Sequence, residues 1–198
     1  MHIAIEGVDG VGKSTISSLL AEKLNFKFIE KPLHYLLDSD NKFDNYFRIR
    51  DYVNTQDHNK IFTSWFYGLG NIFLYHKFQN ENIVTDRHLV SNYFWSGDDK
   101  SAPVFDCLVD LLRKPDYTFL LYAKKEVVLK RLKNRNANDS DINKVGLVQE
   151  AYLKMESFLK KYEMKYKVID TTLLNAQEVV DEILTSLSDD GMIEKEFF

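Results

Sequence analysis

Cysteine is almost missing from this chain. Cys107 is the one thiol in 198 residues, so no disulfide can close within the chain. It stands in the apolar run VFDCLVDLL with no histidine pattern beside it, which predicts a buried core thiol and not a nucleophile. Positive charge is not in excess either. Twenty-six Lys and Arg against thirty Asp and Glu give a formal net charge of −4, which excludes the broad basic field that gathers nucleic acid polymers. No apolar run approaches the roughly 18 residues of a membrane span, so no membrane partner is expected. The motif that begins at Gly7 leaves no room ahead of it for a signal peptide, and a cytoplasmic location is expected. Internal repeats and low-complexity tracts are absent from the sequence. The five histidines, His2, His34, His58, His76 and His88, show no metal-ligand spacing; only His88 lies close to the candidate chemistry.

Apolar sequence is present in short pieces. With 44% hydrophobic residues, residues 1–198 are expected to form one domain with a sizeable core. Strand-like runs occur at HIAIE (2–6), FKFIE (26–30), NIVTD (82–86), YTFLLYA (117–123) and YKVID (166–170), separated by helix-like stretches. The alternation predicts an α/β fold with a parallel sheet covered by helices. Val148, Ala151, Tyr152, Met155, Phe158, Leu159 and Tyr162 recur at three- and four-residue steps and mark one buried helix face. Val179, Val180, Ile183, Leu184 and Leu187 mark another, with Gly191 as its stop. Residues 189–198 read as a loose tail, in which Phe197 and Phe198 either fray or dock on a partner. Residues 32–60 mix aromatics with turn-forming Asp and Asn and read as a substrate-binding insertion.

Three of the eight glycines crowd into IEGVDGVGKST, Ile5 to Thr15. Gly7 to Ser14 fit the spacing of a glycine, four residues, then Gly-Lys-Ser, between an apolar strand and the helical run ISSLLAEKL. Such glycines let successive backbone N–H groups turn toward phosphate oxygens at a helix N-terminus. Gly7, Gly10, Gly12 and Val11 would shape the ATP loop, Lys13 would reach the β- and γ-phosphates, and Thr15 would close it. Ser14 would coordinate Mg²⁺, with Asp86 at the end of NIVTD helping through water. Asp9 has three readings: a hydrogen bond to a sugar hydroxyl, water-mediated contact with Mg²⁺, or a turn cap. Arg87 follows Asp86 and would hold an acceptor's phosphate.

These residues resemble the thymidylate kinase family. The IEGxDGxGKST loop, the Asp-Arg-His segment with Ser91 four residues after Arg87, and KPDYTFLLYAKKEVVLKRLKNR match its motifs in order. The resemblance implies a three-layer P-loop NTPase fold with a five-stranded parallel sheet and a short lid, ATP as donor, Mg²⁺, and a homodimer. It also implies that Arg87 contacts the acceptor monophosphate, with Ser91 on the acceptor side. Asp9 would meet the deoxyribose 3′-hydroxyl, Asn92 would lie beside the base, and Trp95 would leave no room for a 2′-hydroxyl; Trp95 also reads as core. Counting back without gaps puts Phe62 at the base-stacking position and Phe66 where the family has a base-reading arginine. Val11 stands where many members have a P-loop arginine.

Arg131 and Arg135 lie four apart on one helix face and lead into NANDSD, residues 136–141, a candidate lid. They would flank ATP and neutralise the transferring phosphoryl group, or simply end a solvated helix. Glu30 and Lys31 support two acceptors. A monophosphate needs no base and would use Lys31 as a second clamp beside Arg48 or Arg50; a nucleoside 5′-hydroxyl would use Glu30 as general base, as in deoxynucleoside kinases. The expected activity is Mg-dependent phosphoryl transfer from ATP to a pyrimidine deoxynucleoside monophosphate, dTMP favoured. The alternatives are a deoxynucleoside kinase and a nucleotide-binding regulator with little transfer.

Overall fold

The structure is a computed structural model that describes residues 1–38 and 42–194. The chain begins with β1 (His2–Glu6), α1 (Lys13–Leu24) and β2 (Lys27–Glu30), then α2 (His34–Leu37), α3 (Asp44–Thr55) and α4 (Lys60–Phe78). Next come β3 (Ile83–Asp86), α5 (Leu89–Ser96), α6 (Ala102–Leu111), β4 (Tyr117–Tyr122) and α7 (Lys125–Arg135). A 3₁₀ segment (Ser140–Leu147) leads to α8 (Val148–Lys161), β5 (Tyr166–Asp170) and α9 (Ala176–Asp189). All five strands fall where the apolar runs predict, and the sheet is parallel with order β2-β3-β1-β4-β5. Because β1 lies between β3 and β4, the chain reverses its winding there, and a crevice opens at the strands' carboxyl ends.

Every residue of β1 is buried, as a central parallel strand with helices on both faces requires. One core cluster joins Ile3 and Ile5 to Ile16 and Leu20 of α1 and Ile183 and Leu187 of α9. A second gathers Leu89, Phe94, Phe105, Leu108, Met155, Phe158 and Leu159 under α5, α6 and α8, and a small third joins Ile29, Leu74, Phe78 and Ile83. The predicted α8 face is buried at Val148, Ala151, Met155, Phe158 and Leu159, while Tyr152 and Tyr162 are only partly covered at its edge.

The described residues of 32–60 are largely helical. The Asp38 carboxylate accepts from the N–H groups of Asn45 (2.8 Å) and Tyr46 (3.0 Å) and so caps the start of α3 from outside the helix, a role that local sequence reads as a turn. Residues 39–41 of that segment lie outside the described residues. The lid region of 136–141 runs on into the 3₁₀ segment, with Asp139 capping it through Asp141 N–H. The tail holds longer than expected: Met192 N–H donates to Leu187 O at 2.8 Å, and Met192 and Ile193 pack on the first core cluster. Gly191, at φ 67°, makes the expected stop, and Phe197 and Phe198 lie outside the described residues. Cys107 is half-buried, because α6 turns Val104, Phe105, Leu108 and Val109 inward.

Candidate active site

The loop after β1 adopts left-handed backbone at Gly7, Gly10 and Gly12. At Gly7 a Cβ would lie 2.6 Å from the Leu121 carbonyl oxygen, so only glycine lets the loop pass β4. Gly12 then starts α1, whose first turn presents N–H groups to the crevice. Lys13 is folded back, donating to Val8 O at 2.8 Å, with its ammonium 3.9 Å from Asp9 Oδ1. Burial, assisted by the neighbouring Arg87 charge, pushes its pKa down to about 8.

Register brings three carboxylates to the same edge. Asp86 pairs with Ile5 of β1 and with Glu30 of β2, and Glu6 follows Ile5. The Ser14 hydroxyl donates to Asp86 Oδ2, while Asp86 Oδ1 is buried without a hydrogen-bond partner. An unpartnered carboxylate oxygen beside a P-loop hydroxyl fits Mg²⁺, which is held by one or two carboxylates plus substrate phosphates. Among the described residues no cluster of three His, Cys, Asp or Glu forms a dedicated cage.

Arg87 is a non-glycine residue at φ 75°. Its guanidinium is paired with Asp9 Oδ1 at 2.5 Å. Burial alone would raise the Asp9 pKa, but Arg87 and Lys13 outweigh it and hold the carboxyl well below its ordinary range. The side chain expected at the acceptor phosphate and the one expected at the sugar therefore hold each other in the free protein. Trp95 is half-buried and borders a shallow cleft with Val8, Asp9, Phe94, Lys144 and Leu147. Its ring packs against Phe94 with centroids 4.6 Å apart and borders that cleft. Lys60 donates to Trp95 O at 2.9 Å and ties α4 to the end of α5.

Several residues sit differently from expectation. Ser91 is 3% exposed and its hydroxyl donates to Glu6 Oε2, behind Arg87. Arg131 donates to Val11 O (3.3 Å), Thr171 Oγ1 (3.0 Å) and Thr171 O (2.6 Å); these bonds fasten the P-loop to the segment after β5. Arg135 is paired with Asp139 at 2.5 Å and Asp141 at 3.2 Å. Phe62 is 40% exposed, on the α4 face that carries Ile61, Trp65 and Leu69. Phe66 meets Tyr67 edge to face at 5.2 Å, and both are half-buried. Burial raises the Tyr67 pKa against the nearby charges of Arg50 and Arg87.

Arg50 is bonded to Asp51 at 2.5 Å and lies over the Phe47 ring at 4.6 Å. Lys31 is paired with Glu30 at 2.5 Å. Asn92 donates to Ser64 O at 3.1 Å, and its Oδ1 is buried without a partner.

Sequence reasoning missed Glu6, Tyr46, Tyr67 and Lys144. Tyr46 is pushed up to about 12 by burial, and Tyr67, Arg50, Arg87 and Glu30 are the charged or polar groups acting on it. Lys144 is paired with Asp141 at 2.8 Å, lies 5.1 Å over the Trp95 ring, and adds to the field on Asp9. Glu6 was legible as a carboxylate ending an apolar strand; the others depend on which faces α3, α4 and the lid turn inward.

A P-loop on β1, a serine–aspartate pair fit for Mg²⁺ and the half-buried Arg87 beside them define a P-loop nucleotide kinase. The family model for thymidylate kinase matches residues 5–183, and the chain belongs to that family of ATP-dependent kinases. A probable thymidylate kinase from Methanococcus maripaludis is 27% identical over 198 residues, covering 94% of each chain. Thymidylate kinase from Candida albicans shares the fold with a TM-score of 0.68 at 18% identity, over 96% of this chain and 92% of that one. Deoxyadenosine kinase from M. mycoides, solved with dCMP and dCDP, shares it with a TM-score of 0.64 at 21% identity, over 96% of this chain and all of that one.

Proposed function

We propose that this protein transfers the γ-phosphoryl of ATP to a pyrimidine deoxynucleoside monophosphate, dTMP giving dTDP being favoured. The observation that carries this reading is the Arg87–Asp9 pair at 2.5 Å beside Lys13. A half-buried arginine next to the donor loop is suited to a second phosphate, and an entering acceptor monophosphate would replace Asp9 on Arg87. Asp9, released, would accept from the sugar 3′-hydroxyl, and Lys13 would exchange Val8 O for phosphate oxygens. Ser14 and Asp86 would hold Mg²⁺, which supplies charge neutralisation on the donor phosphates. Arg135 and Lys144, both now bonded to lid carboxylates, are the cations available to a closing lid. Catalysis here is positioning and charge neutralisation.

The Asn92 Oδ1 that has no partner accepts hydrogen bonds only, which suits a base that offers a ring N–H, as thymine does. Tyr46, Tyr67 and Arg50 complete the acceptor side. The second reading, a deoxynucleoside kinase, is favoured by Glu30, whose register with Asp86 sets a carboxylate at the crevice. Lys31 already occupies that carboxylate, so a nucleoside hydroxyl would displace a lysine where a phosphate would gain one. The protein is further proposed to work in the cytoplasm, where ATP is supplied, and as a homodimer. Among the described residues no helix is long and apolar enough to cross a membrane.

The test is ADP release from ATP and Mg²⁺ with dTMP, dUMP, dCMP, dAMP, dGMP, thymidine and deoxyadenosine offered singly, for the unmodified chain and for Arg87→Ala. The expected outcome is turnover with dTMP and a fall in kcat/KM of roughly 10²-fold in Arg87→Ala, the weight of a charge-assisted phosphate contact. Turnover with nucleosides alone would replace this reading with the second.

A further inference from the structure

Glu6 is 0% exposed, yet it ends a strand that is otherwise wholly apolar or histidine. A buried carboxylate is costly unless its oxygens are bonded. Oε1 accepts from the His88 N–H at 2.8 Å and Oε2 accepts from the Ser91 hydroxyl. One residue earlier, Ile5 O accepts from the Arg87 N–H at 3.0 Å. The last two residues of β1 thus grip three points of one turn: Arg87, His88 and Ser91. Between those grips Arg87 adopts φ 75°, a left-handed conformation that a residue with a side chain resists unless its surroundings impose it. That backbone aims the guanidinium at Asp9, across the P-loop.

We infer that Glu6 is a positioning residue for Arg87: its carboxylate holds the Arg87–His88–Ser91 turn in the strained form that points Arg87 at the acceptor's phosphate. The inference rests on the reading of Arg87 given above. Burial raises the Glu6 pKa against the pull of Ser91 and Arg87, which agrees with a group kept for its geometry. Glutamine can make both bonds, with its carbonyl accepting from His88 N–H and its amide donating to Ser91 Oγ. Aspartate, one methylene shorter, cannot span to both. Geometry and charge therefore separate experimentally.

The experiment compares Glu6→Ala, Glu6→Asp, Glu6→Gln and Ser91→Ala. The acceptor KM, the ATP KM and amide hydrogen exchange of Arg87 and His88 without ligand are measured. Glu6→Ala and Glu6→Asp are expected to raise the acceptor KM about tenfold, with the ATP KM within about twofold and exchange at both amides faster by about tenfold. Glu6→Gln is expected to restore the acceptor KM to within about threefold of the unmodified chain, and Ser91→Ala to raise it by roughly three- to fivefold. Should Glu6→Ala not fold, Ser91→Ala and Glu6→Gln still decide. Equal rises in both KM values, or no rise in any variant, would overturn the inference. If the unmodified chain binds no nucleoside monophosphate by calorimetry, the functional reading fails by itself. The exchange rates then decide the remainder: unchanged exchange at Arg87 and His88 in Glu6→Asp overturns the grip.

Discussion

His2 and His88, both buried, meet edge to face with ring centroids 5.1 Å apart. His2 is bonded to Tyr75 and Thr85 at 2.9 Å each, whereas both ring nitrogens of His88 are buried without partners. Burial pushes His88 down to about 3, and burial with the His88 and Arg113 charges lowers His2 as well. Both groups fold neutral, so their contribution to stability is fully present above the unfolded value of about 6.5 and is lost as pH falls below it. Urea unfolding at pH 7.5 and pH 5.0 is expected to show a loss of a few kcal/mol at the lower pH. His88→Phe, which cannot protonate, is expected to reduce that loss; an identical pH dependence in the variant would refute the assignment.

At the scale of elements, the proposed acceptor side depends on α3, which carries Tyr46 and Arg50. Its start has no side-chain cap of its own, and Asp38 supplies one from the preceding segment. Asp38→Ala is expected to destabilise α3 by about 1 to 2 kcal/mol and to raise the acceptor KM while leaving the ATP KM unchanged. Steady-state kinetics with each substrate varied, alongside hydrogen exchange over 44–55, checks it; protection of α3 as in the parent would count against the cap. The lid differs: Arg135, Asp139, Asp141 and Lys144 bond one another, so its cations must change partners before they can meet a phosphate.

For the whole molecule, α4 has one face in the crevice and another in solvent. Ile61, Trp65, Leu69 and Ile72 form an apolar stripe on that outer face, each 39% to 45% exposed. A contiguous stripe of this kind is suited to a second copy of the chain, in line with the proposed homodimer. Sedimentation at micromolar concentration is expected to give twice the 23.2 kDa chain mass, and Trp65→Glu with Leu69→Glu to halve it. A parent protein that sediments at the chain mass would remove the dimer.

The sequence by itself determined the five strands, the parallel α/β layering and the phosphate loop. Each is written locally, in apolar runs of strand length and in glycines spaced for one backbone path. It also determined the pairing of a donor loop with Arg87, since both follow directly from strand ends. Only the tertiary structure decided which neighbours those side chains have. Arg131 and Ser91 carry the right chemistry for ligands, but the fold surrounds the first with carbonyl groups and the second with Glu6. Whether Phe66 or Tyr67 faces the crevice turns on a single 100° step of a helix, which periodicity cannot resolve when nearly every position is apolar. The caps and ion pairs of α3 and the lid join residues several positions apart whose meeting is set by packing, so their polar sequence reads as loop until the fold brings them together.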